Sequence, residues 1–137
     1  MLPNYFVYGE PGSGKTLFAH RYAKDNLINI PYWGSGSWPK IYNQIIKHRT
    51  TTDSIFLWDL FEDTNKATLN RLPKLNTLKP NHQHIICSVY PPTHYSKYIQ
   101  DFLAQNNFIY LKLHDDHKTP YETVKAHVDD LIRILKS

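Results

Sequence analysis

The chain has 137 residues, 41% hydrophobic and 20% charged, with a formal net charge of +4. This is the length of a single domain, residues 1–137, and the balance of a folded chain rather than a disordered one. No apolar run approaches the roughly 20 residues that cross a bilayer, and the N-terminus lacks the basic stretch and apolar core of a secretory signal.

Cys87 is the one cysteine. It excludes an internal disulfide and fits a reducing compartment. It reads as a small buried apolar residue, because nothing basic surrounds it in sequence to activate a thiol. The basic residues are scattered, so the charge suits a polyanionic partner without singling one out.

Residues 4–8, Asn-Tyr-Phe-Val-Tyr, form a short β-rich run that ends at Gly9. Three of the five glycines in the chain fall between positions 9 and 14. Residues 17–24 then lack Gly and Pro, and they place Phe18 with Tyr22 and Ala19 with Ala23 at helical spacing. The order is therefore strand, glycine-rich turn, helix. A second strand is expected over 27–32, ended near Pro31. It is followed by an aromatic loop (Tyr32, Trp33, Trp38) and a short helix around Ile41, Ile45 and Ile46.

Residues 54–59 are an apolar strand ending in Asp59, and residues 64–75 have weak helical spacing broken at Pro73. The next strand, 84–90, is stopped by Pro91 and Pro92. Tyr95, Ile99, Phe102 and Leu103 share a helical face, and 108–113 is a further strand. In the last helix Thr119 is the expected cap, Pro120 lies in the first turn and Glu122 completes a capping box. Val124, Val128, Leu131 and Leu135 line its apolar face. Strands alternating with helices predict an α/β fold: a three-layer, doubly wound parallel sheet of about five strands.

The run Gly9-x-x-x-x-Gly14-Lys15-Thr16 fits the P-loop pattern in the strand–turn–helix context that the pattern requires. Glycines let successive backbone N–H groups point at phosphate oxygens, and the following helix adds its positive end. Gly9, Pro11, Gly12, Ser13, Gly14, Lys15 and Thr16 are therefore the expected nucleotide-binding residues. Lys15 supplies a charge to the β- and γ-phosphates, and the Thr16 hydroxyl a ligand to Mg2+.

Asp59, at the C-terminal edge of the sheet, is the second expected Mg2+ residue, in the manner of a Walker B acid. Glu62, followed by Asp63, is the first candidate to orient the attacking water. Ser88, near the end of its strand, is either a sensor of the γ-phosphate or a hydroxyl satisfied within the sheet. The aromatic loop either stacks on bases or packs over the sheet edge. The His114-Asp-Asp-His117 run reads as a hydrated loop rather than a metal site.

With these residues the chain resembles the P-loop NTPase superfamily. Within it the chain is similar to the superfamily 3 helicase domain of replication-associated proteins from small circular single-stranded DNA viruses and plasmids. The resemblance covers residues 4–113. It is carried by the loop at 9–16, by Tyr32-Trp33 with Trp38, by Phe56-Leu-Trp-Asp59, and by the strand at 85–88 running into Pro91-Pro92. It implies an ATP- and Mg2+-dependent motor ATPase, with single-stranded nucleic acid and further copies of the chain as partners. The setting it implies is intracellular, in the cytoplasm or in a host nucleus if the source is viral.

The chain departs from that family's pattern in four ways. Leu60 stands where the family pairs a second acid with Asp59, and Val89 where an asparagine follows the sensor position. No arginine lies between Arg71 and Arg133 to reach a neighbouring subunit's site. The 137 residues leave no room for the family's endonuclease domain. Two other classes share the opening motif: a small-molecule P-loop kinase, and a nucleotide-binding switch with little turnover. Sheet order separates motor from kinase. A strand inserted between the P-loop strand and the Asp59 strand belongs with motors, and direct adjacency with kinases.

Overall fold

The computed structural model describes residues 3–30, 55–60, 83–113 and 120–137, with the backbone alone at 29–30 and 59–60. The expected aromatic loop at 32–38, the helices near 41–46 and 64–75, Glu62, Asp63, the 114–117 run and Thr119 lie outside these residues.

Five strands form one sheet. They are β1 (Asn4–Tyr8), β2 (Leu27–Ile30), β3 (Ile55–Leu60), β4 (Gln83–Ser88) and β5 (Phe108–Lys112). Their order is β2-β3-β4-β1-β5, and every pairing is parallel. Strand β4 therefore lies between β1 and β3. The register places Tyr8, Ser88, Leu60 and Lys112 in one row along the C-terminal edge. Strand β4 is buried at all six positions, as a central strand of a parallel sheet covered on both faces must be.

The helices are α1 (Lys15–Ala23), α2 (Lys97–Gln105) and α3 (Tyr121–Lys136). Alternation along each strand makes two cores. On one face Phe6, Phe56, Trp58 and Ile86 pack with Ile99, Phe102 and Leu103 of α2. On the other, Tyr5, Val7, Ile55, Leu57, Ile85 and Cys87 pack with Phe18, Ala19, Tyr22 and Ala23 of α1 and Val128 of α3. The sheet thus has helices on both faces. Each large side chain fully buried there contributes about 1.5–3 kcal/mol.

Polar residues lock the register. Asn4 donates from Nδ2 to the Asn106 carbonyl (2.8 Å) and accepts the His84 N–H at Oδ1 (2.7 Å), so it ties β1 to β4 and to the turn before β5. Asn107 takes φ +60° in that turn, a conformation asparagine tolerates better than most residues. Trp58 Nε1 donates to His84 Nδ1 at 3.0 Å, which satisfies both groups inside the core. At the far end of α1, Lys136 Nζ donates to the Tyr22 carbonyl (2.8 Å) and sits over the Tyr22 ring. Arg21 pairs with Asp129 across the α1–α3 seam.

Several element ends differ from the sequence expectation. Strand β3 continues one residue past Asp59, because Leu60 still pairs with Ser88. Strand β4 stops at Ser88, two residues early, where the Ser88 hydroxyl takes the Tyr90 N–H and bends the chain. Tyr95 precedes α2 rather than lying on it, and Ser96 is the cap. Pro120 is itself the cap residue of α3, its carbonyl taking the N–H groups of Thr123 and Val124. Glu122 pairs with Lys125 at 2.9 Å, and at the other end the Ser137 hydroxyl donates to the Ile134 carbonyl (2.7 Å). Among the described residues no helix is long and apolar enough to cross a membrane.

Candidate functional site

Between β1 and α1 the chain makes a tight turn at the C-terminal edge of the sheet. The Gly9 N–H donates to the Ser88 carbonyl at the end of β4 (3.2 Å), and the Ser13 N–H donates back to the Glu10 carbonyl (3.1 Å). Gly12 and Gly14 have φ of +87° and +96°, where a Cβ is disfavoured. Gly14 is the cap residue of α1, and its carbonyl takes the Phe18 N–H at 2.8 Å. Left-handed residues in a turn bring successive N–H groups to one side and form an anion-binding hollow. The first-turn N–H groups of α1 have no preceding helical carbonyl to bond, and the helix dipole reinforces them.

The loop is also braced from outside. A Cβ on Gly9 would collide with the Leu113 carbonyl oxygen just past β5, and one on Gly14 would come within 2.9 Å of Val124 Cγ1 and 3.0 Å of Val128 Cγ2 on α3. Cys87, fully buried on β4, places Sγ 3.5 Å from the Lys15 carbonyl, under the first turn of α1.

Lys15 opens α1 and folds its ammonium over the loop, donating to the carbonyls of Gly9 (2.8 Å) and Glu10 (2.9 Å). These are charge-assisted bonds that an anion in the hollow would exchange for its own oxygens. Pro11, Gly12 and Thr16 are exposed, whereas Ser13 is buried. The Ser13 Oγ has no hydrogen-bond partner among the described residues. A buried hydroxyl left in that state costs about 1–3 kcal/mol, so it marks a place where a polar contact is expected.

The backbone of Asp59 is level with Cys87, one row below the edge formed by Tyr8, Ser88 and Leu60. The turn after β4 brings in a residue that sequence reasoning missed. Ser88 is 1% exposed; its hydroxyl shares a 2.6 Å bond with the Tyr95 hydroxyl and accepts the Tyr90 N–H (3.0 Å). The Ser88 side chain is thus held by protein partners, while its carbonyl anchors Gly9. The Tyr90 ring stacks on His94 at 4.1 Å. No spacing signal links Tyr95 to Ser88, because the contact depends on the bend after β4.

The site therefore brings the glycine loop, Lys15 and Thr16 to the same sheet edge as Ser88 and the end of β3. Among the described residues no three His, Cys, Asp or Glu side chains gather as a metal site. No protein-family model matches the chain, and no curated protein matches it at a significant level.

Proposed function

We propose that this chain is a P-loop nucleoside triphosphatase of the motor type, which binds ATP with Mg2+ and couples its hydrolysis to work on single-stranded nucleic acid. The observation that carries the reading is the strand order: β4 lies between the strand that feeds the glycine loop and the strand that carries Asp59. A kinase would be expected to have those two strands adjacent. The left-handed glycines and the ammonium folded over the loop support phosphate binding in the turn.

In this reading the N–H groups of residues 9–16 and the Lys15 ammonium hold the phosphate oxygens. Thr16 and Asp59 offer a hydroxyl and a carboxylate, the hard oxygen donors that suit Mg2+. When bound, that ion neutralises charge between the β- and γ-phosphates. Glu62 orients a water for attack on the γ-phosphorus. The bond to the β,γ-bridging oxygen then breaks, giving ADP and inorganic phosphate.

Leu60 favours one second reading. Without an acid after Asp59, the domain binds ATP as a switch and turns it over slowly. Phosphate release from Mg·ATP, measured with and without single-stranded DNA, separates the two. A motor releases phosphate faster with DNA and loses that activity in Asp59→Ala while still binding nucleotide. A switch binds equally well and releases little. Transfer of phosphate to a small acceptor instead of water would overturn the motor reading.

A further inference from the structure

Strand β5 ends the sheet beyond β1, and among the described residues no strand pairs with its outer side. The Asn107 carbonyl takes the Asn4 N–H (3.1 Å), and the Leu113 N–H donates to the Tyr8 carbonyl (2.8 Å). Backbone groups alternate in direction along a strand, so residues 109 and 111 also bond inward to β1. The N–H and C=O groups of Phe108, Tyr110 and Lys112 therefore point outward. Edge strands are ordinarily blunted by proline, bulges or charge. Here one charge is present, Lys112, at the last position.

The edge is also apolar. Five large apolar side chains are exposed among the described residues, and four of them belong to this edge. Ile109 (41% exposed) and Tyr110 (44%) are on β5 itself, on opposite faces, in register with Tyr5 and Phe6. Tyr98 is one turn before Phe102, whose ring meets that of Phe108 at 6.3 Å, so it stands on the side of α2 nearest β5. Ile134 is seven residues beyond His127, which lines a hollow with Lys112 and Leu113, and so shares the face of α3 turned toward β5. Exposed apolar patches of this kind mark interaction sites.

We infer that β5 pairs antiparallel with β5 of a second copy, about a twofold axis through Tyr110, and joins the two sheets into one. The edge is complementary to itself. With Tyr110 opposite Tyr110, Phe108 stands opposite Lys112 and Ile109 opposite Leu111. The residues whose backbone groups point outward are then the hydrogen-bonded pairs of an antiparallel ladder, so each outward donor meets an acceptor. A twofold contact also sets α2 beside α2 and α3 beside α3 of the other copy, with Tyr98 and Ile134 flanking the joint on its two faces.

The charges agree with this register. The two Lys112 positions lie about 14 Å apart along the strands, at about 3.4 Å per residue, beyond the Debye length of about 8 Å. Lys112 shares the α2 face with Tyr110 and Phe108. It therefore reaches the second copy beside Phe108, next to the end of that copy's α2. This helix has no basic residue in its last turn, so its negative end is open to the incoming ammonium. The contact closes at two copies, unlike the head-to-tail contacts that build a ring.

Nucleotide takes no part in the contact, so the test is run without it and stands apart from the phosphate-binding reading. Sedimentation equilibrium over a concentration series should show a monomer–dimer equilibrium. Tyr110→Lys sets like charges opposite each other at the axis and should weaken the dimer at least tenfold, with an unchanged circular dichroism spectrum. In the parent protein, amide exchange at Phe108, Tyr110 and Lys112 should slow as concentration rises, while Ile109 and Leu111 are protected throughout. Tyr110→Cys should cross-link to its copy under mild oxidation, because a hydrogen-bonded antiparallel pair has Cα atoms about 5.5 Å apart, inside the disulfide range of about 4.4–6.8 Å. Phe108→Cys, about 14 Å from its copy, should not. Cys87 is buried and does not compete.

A protein that stays monomeric at every concentration overturns the inference. So does open-ended assembly, or a dimer in which the three outward amides exchange as fast as in the monomer. If Tyr110→Lys fails to fold, parent exchange and the two cysteine variants decide: cross-linking at Phe108 in place of Tyr110 refutes the register.

Discussion

Replacing Gly14 by alanine tests whether the glycine loop is held by its own conformation or by the helix behind it. Two terms add. At φ +96° an L-residue costs about 1–2 kcal/mol relative to glycine. The new methyl would also lie 2.9 Å from Val124 Cγ1 and 3.0 Å from Val128 Cγ2. Valine has little freedom at χ1 with which to withdraw, and overpacking of this kind costs about 1–3 kcal/mol. The sum is about 2–5 kcal/mol, a large part of the about 5–15 kcal/mol that holds a typical domain together.

Urea denaturation followed by circular dichroism measures the total. A double-mutant cycle with Val124→Ala separates the terms, because shortening that valine removes part of the collision and leaves the backbone term. The cycle should therefore show a favourable coupling of about 1 kcal/mol or more between the two substitutions. A cost for Gly14→Ala below about 0.5 kcal/mol, within the range of an ordinary surface change, would refute the argument. So would strict additivity with Val124→Ala, since the loop and α3 would then not be in contact.

Lys15→Ala should leave the fold intact and weaken Mg·ATP binding about tenfold or more, since a hydrogen bond to a charged group contributes about 1.5–3 kcal/mol; calorimetry showing unchanged affinity would exclude the loop as the phosphate site. Lys24 ends α1 at φ 52° and ψ −126° with an exposed side chain, so Lys24→Gly should raise stability by about 0.5–1 kcal/mol as backbone strain is relieved, and a lower melting temperature would contradict this. Tyr5 is 2% exposed, and burial first, then its hydrogen bond with Tyr22, hold its phenol well above the ordinary range. Its unfolded form ionises near pH 10, so this stabilisation is complete below about pH 10 and is lost as pH rises beyond it. Urea midpoints at pH 8 and pH 11 should diverge less in Tyr5→Phe than in the parent, and equal divergence would sink the assignment.

The regular elements were legible because each carries its own period. Strand β1 has the expected bounds, and Phe18, Tyr22, Ala19 and Ala23 are the buried face of α1. Val124 and Val128 are the buried pair on α3. What escaped was decided by neighbours in space. Strand β3 extends to Leu60 because β4 offers a partner there. Strand β4 stops early because a serine hydroxyl captures the next turn. In the candidate site, glycine spacing identified the loop. Strand order had been left open by the sequence, because hydrophobic pattern says that strands are central or peripheral without saying which neighbours which. The Ser88–Tyr95 pair could not be read from spacing, since it depends on the bend that follows β4.

The loop's shape is therefore a tertiary property. Gly9 is anchored to β4 by its N–H and pressed against the end of β5. Gly14 abuts α3, near the C-terminus of the chain in sequence. The first turn of α1 rests on Cys87 of β4. An isolated peptide of residues 4–24 would carry the complete glycine pattern and none of these constraints, and glycine is the residue least able to hold a shape unaided. The pattern supplies permission for the turn; β4, β5 and α3 supply its geometry. It follows that substitutions at Val124 or Val128, far from the motif in sequence, act on the loop directly. In the proposed reading, the cost of holding a phosphate chain there would depend on how well β5 and α3 are packed against the loop.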